Sequence, residues 1–267
     1  MQRVRSGDAE IAYQVMGDGP AVVLLHAFPA NHEMWVPAAE ILSTRYRLIL
    51  PDLRGHGDSE IGDGPATMAK HAADIARVCD ETGIGRAIFV GVSIGGYALF
   101  EFWRRYRQRV SALILCDTRA SADSPEAQAN RLKSAEEAVQ RGPEAVIDGL
   151  VPKLLGQSTQ TARPDLVAAA RRMMLKMSAD DIAQVQRGMA ERPDSIPTLK
   201  TIDVPSMVLV GDEDVLTPVA EAEVIRQNIP RCELRVIAKA GHYSPFEQHQ
   251  TAATLIRQFL DGLPRVS

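Results

Sequence analysis

Six short runs, most of them rich in Val, Ile and Leu, set the tightest limit on what this chain can fold into: 21–25, 48–50, 87–90, 112–115, 207–210 and 234–237. They do not alternate between apolar and polar residues, as a strand wetted on one face must. Segments of helical period at 32–44, 67–82, 93–107, 218–228 and 245–260 follow them. Strands buried on both faces and joined by helix-length crossovers require a parallel sheet covered on both sides, so the class is α/β. The rhythm breaks between about 120 and 200. That stretch reads as amphipathic helices punctuated by Gly142-Pro143, Pro152, Gly156 and Pro164, which predicts an inserted helical subdomain. Its flanks, SADSP (121–125) and RPDSIP (192–197), are turn-rich and read as hinges. At the start, Ile11, Tyr13 and Val15 alternate with Ala12, Gln14 and Met16 before Gly17-Asp18-Gly19-Pro20, which predicts an antiparallel hairpin.

Charge and cysteine usage narrow the function classes. Thirty Lys and Arg against thirty-four Asp and Glu leave a net charge of −4, without the basic footprint that nucleic-acid binding needs. Cys79, Cys116 and Cys232 are odd in number and far apart, which argues against a disulfide framework and fits a reducing compartment. The first seventeen residues are mixed and polar, and no run of about 18 apolar residues occurs. The expectation is a cytoplasmic protein that binds neither membrane nor nucleic acid.

Directly after the run at 87–90 comes Gly91-Val92-Ser93-Ile94-Gly95-Gly96, and then a helical segment. This is a GxSxG pattern between strand and helix. Glycines are needed where a very sharp turn would drive side chains into the adjoining strand and helix, and such a turn lifts the serine hydroxyl above the sheet. The helix that follows directs free N–H groups at the same place. Two other strand ends carry chemistry: 207–210 runs into Gly211-Asp212-Glu213-Asp214, and 234–237 leads to Ala240-Gly241-His242. In a parallel sheet with right-handed crossovers these ends share one edge, so Ser93, Asp214 and His242 are predicted to converge. Asp117 and Asp212 also follow strand ends and compete with Asp214 for the acid's role. His26 reads as a buried, hydrogen-bonded support, His56 as a loop-ordering residue, and His71 and His249 as members of surface helices. Asp52 and Arg54 read as a loop-stabilising pair, and Arg104, Arg105, Arg107 and Arg109 as solvated charges at a helix C-terminus. Gly83-Ile84-Gly85 precedes a strand, where a dinucleotide fingerprint would follow one, and no HExxH spacing occurs. Neither cofactor nor metal is expected.

Five blocks, HAFPANHEMW (26–35), DLRGHGDS (52–59), GVSIGGY (91–97), GDEDVLTP (211–218) and AGHYSPFEQ (240–248), resemble the α/β-hydrolase superfamily over essentially the whole chain. Within it they are similar to 3-oxoadipate enol-lactonase-like carboxylesterases. The resemblance implies an α/β-hydrolase fold: a mostly parallel eight-stranded sheet, helices on both faces and a helical cap at 120–200 inserted in a core of 1–119 and 201–267. It implies Ser93 as nucleophile, Asp214 as acid and His242 as base, in that family's chain order, with the backbone N–H groups of Phe28 and Ile94 as oxyanion hole. Ala27 departs from the family's usual glycine and adds a methyl group to the oxyanion loop. The implied activity is cofactor-free cleavage of a small to medium ester or lactone through an acyl-enzyme. Perhydrolase or haloperoxidase-like chemistry, C–C bond hydrolysis or lyase chemistry, and a non-catalytic receptor remain open on the same residues. Trp35, Leu154, Met173 and Met177 are candidates for the substrate pocket, with plain core packing as the alternative reading for the methionines and leucine. A homo-oligomer is compatible with the sequence.

Overall fold

The computed structural model describes residues 1–263. Residues 264–267, the end of the expected core segment, lie outside the described residues. Eight strands form one sheet: β1 (Gln2–Ser6), β2 (Ala9–Met16), β3 (Ala21–Leu25), β4 (Arg47–Pro51), β5 (Ala87–Val92), β6 (Val110–Cys116), β7 (Ser206–Gly211) and β8 (Cys232–Ile237). Their order is β1-β2-β4-β3-β5-β6-β7-β8, antiparallel through β1, β2 and β4 and parallel from β4 onward. Each of the six runs is a strand.

The opening hairpin is real but lies elsewhere than expected. β1 and β2 pair around Gly7, whereas β2 and β3, on either side of Gly17–Pro20, are separated by β4. Gln2, Arg3 and Arg5 are exposed on the outer edge strand, so β1 carries no apolar run to betray it.

The chain moves one way across the sheet from β3 to β4 and the other way from β5 to β6. Right-handed crossovers therefore put α1 (Val36–Leu42) and α3 (Ile94–Tyr106) on opposite faces. α2 (Met68–Glu81) packs beside α3, its start capped by Thr67, whose hydroxyl accepts from Lys70 N. Between β6 and β7 the described chain is helical without a strand: α4 (Pro125–Arg141), α5 (Pro143–Leu154), α6 (Gln157–Ala162), α7 (Pro164–Met174), α8 (Ala179–Ala190) and α9 (Ile196–Leu199). Prolines at the first turns of α4, α5 and α7 explain why the punctuation read from sequence begins helices rather than loops. α10 (Val219–Asn228) follows β7. The segment expected at 245–260 divides into α11 (Ser244–Glu247) and α12 (His249–Asp261), and α12 packs on α1. One apolar cluster runs from the sheet into the insertion, from Phe89 and Phe102 through Trp35 to Met174 and Ile182. Among the described residues no helix is long and apolar enough to cross a membrane.

The two flanks of the insertion are tied together, not loose. Ser195 N donates to Ala120 O at 2.8 Å, and buried Asp123 pairs with Arg131 and with Arg192 at 2.8 Å. The Arg192 guanidinium also lies 4.3 Å from the centre of the Tyr97 ring on α3. On the far side, α8 rests on the chain before α2, where a Cβ at Gly188 would collide with Ala66 O. Gly188→Ala should therefore cost about 1–3 kcal/mol in urea unfolding, as overpacking does. A loss within about 0.5 kcal/mol, the ordinary range for surface changes, would show that this docking has slack.

Candidate active site

Ser93 occupies the turn from β5 into α3 with φ 53° and ψ −112°, a backbone conformation that costs a serine about 1–3 kcal/mol. Its surroundings hold it there. A Cβ at Gly91 would lie 2.6 Å from Gly95 C, one at Gly95 2.9 Å from the Leu25 side chain, and one at Gly96 2.5 Å from Thr118 Oγ1. Strand, turn and helix thus meet with no room for side chains. Ser93 N donates to Cys116 O at 3.0 Å, and Thr118 Oγ1 donates to Ser93 O at 2.9 Å, which ties the turn to the end of β6. The residue is only 8% exposed.

Asp214 follows β7 and is saturated with donors. Oδ1 accepts from Leu216 N at 2.8 Å and Thr217 N at 2.9 Å, while Oδ2 accepts from Thr217 Oγ1 at 2.6 Å and His242 Nδ1 at 2.9 Å. Burial pushes its pKa up, but the His242 ring and the Thr217 donors outweigh burial and hold the carboxyl at about 2. An ionised Asp214 accepts only, so the proton of the neutral ring sits on Nδ1 and the lone pair on Nε2. Thr217 Oγ1 lies 3.1 Å from the same Nδ1. Sequence reasoning passed over Thr217, although it stands three residues after Asp214, where a hydroxyl reaches back to a carboxylate.

Of the three carboxylates at strand ends, Asp214 is the one bonded to His242. Asp212 is exposed. Asp117, at φ 42°, accepts from Gly211 N at 2.9 Å, Ser244 Oγ at 2.6 Å and Ser244 N at 3.3 Å. It thereby joins β6, β7 and the chain just after His242. Burial drives its pKa well up, and the charge of Asp214 adds to this. Among the described residues no hydrogen bond joins Ser93 Oγ to the His242 ring.

The loop after β3 carries Phe28. Its N–H, like that of Ile94, donates to no protein group among the described residues. Ala27 N donates to Met34 Sδ at 3.2 Å, and Phe28 O accepts from the Tyr243 hydroxyl at 3.0 Å, joining this loop to the one that bears His242. His26 is fully buried: Nε2 accepts from Leu53 N at 2.8 Å, which leaves Nδ1–H to donate to Ala27 O at 2.9 Å. His56 donates from Nδ1 to Arg54 O at 3.0 Å and stands edge-on to His26 at 4.9 Å. Two readings need correction. Asp52 and Arg54 do not pair: Asp52 Oδ1 takes His32 N and Nδ1, both at 2.7 Å, while Arg54 reaches Asp74 at 2.8 Å and Asp8 at 2.5 Å. His71 is not on a wet face either. It is completely buried on the side of α2 that holds Met68 and Ile75, and neither ring nitrogen has a partner among the described residues. His249 is half-buried.

Trp35, Leu154, Met173 and Met177 are all buried in the apolar cluster, at 3% exposure or less. Two surface cavities, of about 450 and 770 Å³, lie at the opposite edge of the sheet, by Ser206 and Cys232 and by Arg104 and Thr201, and touch none of these residues. Among the described residues no group of three or more His, Cys, Asp or Glu is arranged to hold a metal ion.

Burial, followed by the charge of His56, lowers His26 to about 3; burial also lowers His56, and His71 well below its usual range. An unfolded chain binds a proton at His26 below 6.5 and the folded chain only near 3, so this residue's stabilisation is complete above 6.5 and is lost as pH falls toward 3. His26→Asn should flatten the slope of unfolding free energy between pH 6 and 4 by about 1.4 kcal/mol per pH unit relative to wild type. Equal slopes would mean that the ring protonates inside the fold.

A family model described as alpha/beta hydrolase fold matches residues 20–248. The chain is 26% identical over 252 residues to 3-oxoadipate enol-lactonase 2 of Acinetobacter baylyi, covering 91% of this chain and 90% of that protein. A thermophilic esterase from Thermogutta terrifontis superposes with a TM-score of 0.95 at 39% identity, over 98% of each chain. The enol-lactonase from Burkholderia xenovorans LB400 does so at 0.91 and 26% identity, over 97% of this chain and 100% of that one. With this match and an eight-stranded sheet in the order above, the chain belongs to the α/β-hydrolase family.

Proposed function

We propose that the protein hydrolyses carboxylic esters or lactones of small to medium size through an acyl-enzyme, with Ser93 as nucleophile, His242 as base and Asp214 as acid. The observation that carries this reading is the 2.9 Å bond from His242 Nδ1 to an ionised, four-fold hydrogen-bonded Asp214, at the same edge of the parallel sheet as a serine held at positive φ after β5. The similarity to an esterase and to two enol-lactonases supports the bond type.

A serine hydroxyl is a weak nucleophile until a base takes its proton as it attacks the carbonyl carbon. His242 Nε2 has the free lone pair for this, because Asp214 keeps the proton on Nδ1 and stabilises the imidazolium that forms. The tetrahedral oxyanion is received by the N–H groups of Phe28 and Ile94, which are free to donate; each such donor is worth about 3 kcal/mol in related chemistry. The imidazolium then protonates the departing alkoxide. A water activated by the same ring attacks the acyl-serine and releases the acid. All the chemistry is proton transfer and addition–elimination at one carbonyl, which needs no cofactor. For the acyl chain we assign Trp35 together with Leu154, Met173 and Met177 of the insertion, whose apolar side chains share one buried cluster.

p-Nitrophenyl acetate and butyrate should be turned over, a fluorophosphonate should label Ser93, and Ser93→Ala should abolish both. Full activity in that variant would sink the proposal. Asp214→Asn should lower kcat by about 10⁴-fold, as the loss of a triad carboxylate does, and Asp117→Asn by far less; the reverse order would reassign the acid. Because Asp214 stays ionised down to about pH 2, its protonation should make no contribution to the acid side of the kcat/KM profile above pH 4.

A further inference from the structure

The residues on either side of His242 are bonded to the helical insertion. Gly241 N donates to Glu247 Oε1 at 2.9 Å, and the other oxygen of that carboxyl, Oε2, accepts from Gly156 N at 2.8 Å. Tyr243 N donates to Leu154 O at 3.1 Å. The loop that bears Asp214 is held from the same place: Glu213 accepts from Ser158 N at 2.8 Å and from Ser158 Oγ at 2.5 Å. Residues 154–158, the junction of α5 and α6, therefore grip both loops that carry the imidazole–carboxylate pair. The contact is tight as well as polar. A Cβ on Gly156 would lie 2.7 Å from Gly241 N, and one on Gly241 would lie 2.7 Å from Leu155 C. Backbone meets backbone here, and close-packed interiors transmit displacement. Glu247 is 3% exposed, and a carboxyl so far from water is tolerable only with its hydrogen bonds made. Its bonds come from both segments at once, so it fastens the insertion to the residue that precedes His242.

We infer that Glu247 is a positioning residue for His242 and that the α5–α6 junction is a fixed brace of the site, so that the insertion sets the placement of the base. The inference rests on the reading of His242 as that base. Glu247→Ala removes both acceptors, Glu247→Gln keeps one, and Gly156→Ala disturbs the junction from the side of the insertion. Arg171→Ala, which breaks an exposed pair with Asp148 in the same insertion, is the control. With p-nitrophenyl butyrate, Glu247→Ala and Gly156→Ala should lower kcat about ten- to a hundredfold while KM stays within about threefold, the signature of a misplaced catalytic group. Glu247→Gln should recover part of the loss, and Arg171→Ala should match wild type. The downfield proton resonance of the His242 Nδ1–H bond to Asp214 should shift or broaden in Glu247→Ala and Gly156→Ala, which a role confined to holding the insertion would not produce. An unchanged kcat and an unchanged resonance in folded Glu247→Gln and Gly156→Ala, or a loss carried by KM alone, would overturn the inference. If wild type fails to hydrolyse the ester, or Ser93→Ala keeps its rate, the hydrolase reading fails instead, and the Nδ1–H resonance still tests the brace.

Discussion

The fit between β5 and α3 governs the rest of the molecule. The chain must leave a fully buried strand and enter a helix that is buried from Ile94 to Trp103 within one residue, and it does so by putting Ser93 at positive φ with Gly91, Gly95 and Gly96 packed bare against Gly95, Leu25 and Thr118. The local cost of about 1–3 kcal/mol is spread over a large buried interface, so the turn cannot relax without opening that interface. Its geometry then reaches outward. The turn's backbone is hydrogen-bonded to Cys116 and Thr118 at the end of β6, and Asp117 between them is bonded to Gly211 on β7 and Ser244 beyond His242. Three loops are thus registered against one another by one backbone bond and by the buried side chains of Thr118 and Asp117.

Electrostatically the two sides of Ser93 differ. Beneath the Phe28 loop lie His26, His56 and His71, whose burial keeps them uncharged near neutral pH. Beneath the other side lies Asp214, whose charge is retained by four donors. A positive imidazolium is thus favoured by the Asp214 charge, while the buried histidines behind the other loop stay neutral. This arrangement suits a reaction in which a proton moves one way and negative charge develops the other way.

Much of this was legible in the sequence because it follows from periodicity and from residues adjacent in the chain. Runs without alternation fixed the strands of the parallel sheet, and the strand ends put Ser93, Asp214 and His242 on a common edge. The misreadings share a different cause. Whether His71 faces water depends on what covers α2, and whether Asp52 meets Arg54 depends on His32, twenty residues away, having taken the carboxylate first. β1 escaped notice because an edge strand needs no apolar run. Gly156 meeting Gly241, and Glu247 spanning the two, is a contact between segments some 90 residues apart that no local pattern records. The blocks quoted for the family nonetheless contain Thr217 and Glu247, each a polar residue a few positions from a catalytic candidate.

The neck of the insertion has an architectural corollary. Because Ser195 N and Ala120 O are hydrogen-bonded at 2.8 Å, the polypeptide departs from the sheet and returns to it at a single point. Some seventy residues can thus be lengthened, shortened or exchanged between those two anchors without altering how any strand meets its neighbour. A chimera carrying a foreign set of helices would keep its sheet, yet it would leave Glu213, Glu247 and Tyr243 facing solvent unless the donor brought a bare-backbone crossing of its own. Modularity at the neck is therefore limited to one condition, that Arg192 still meet Tyr97 on α3, while at the far end of the insert it depends on the whole crossing.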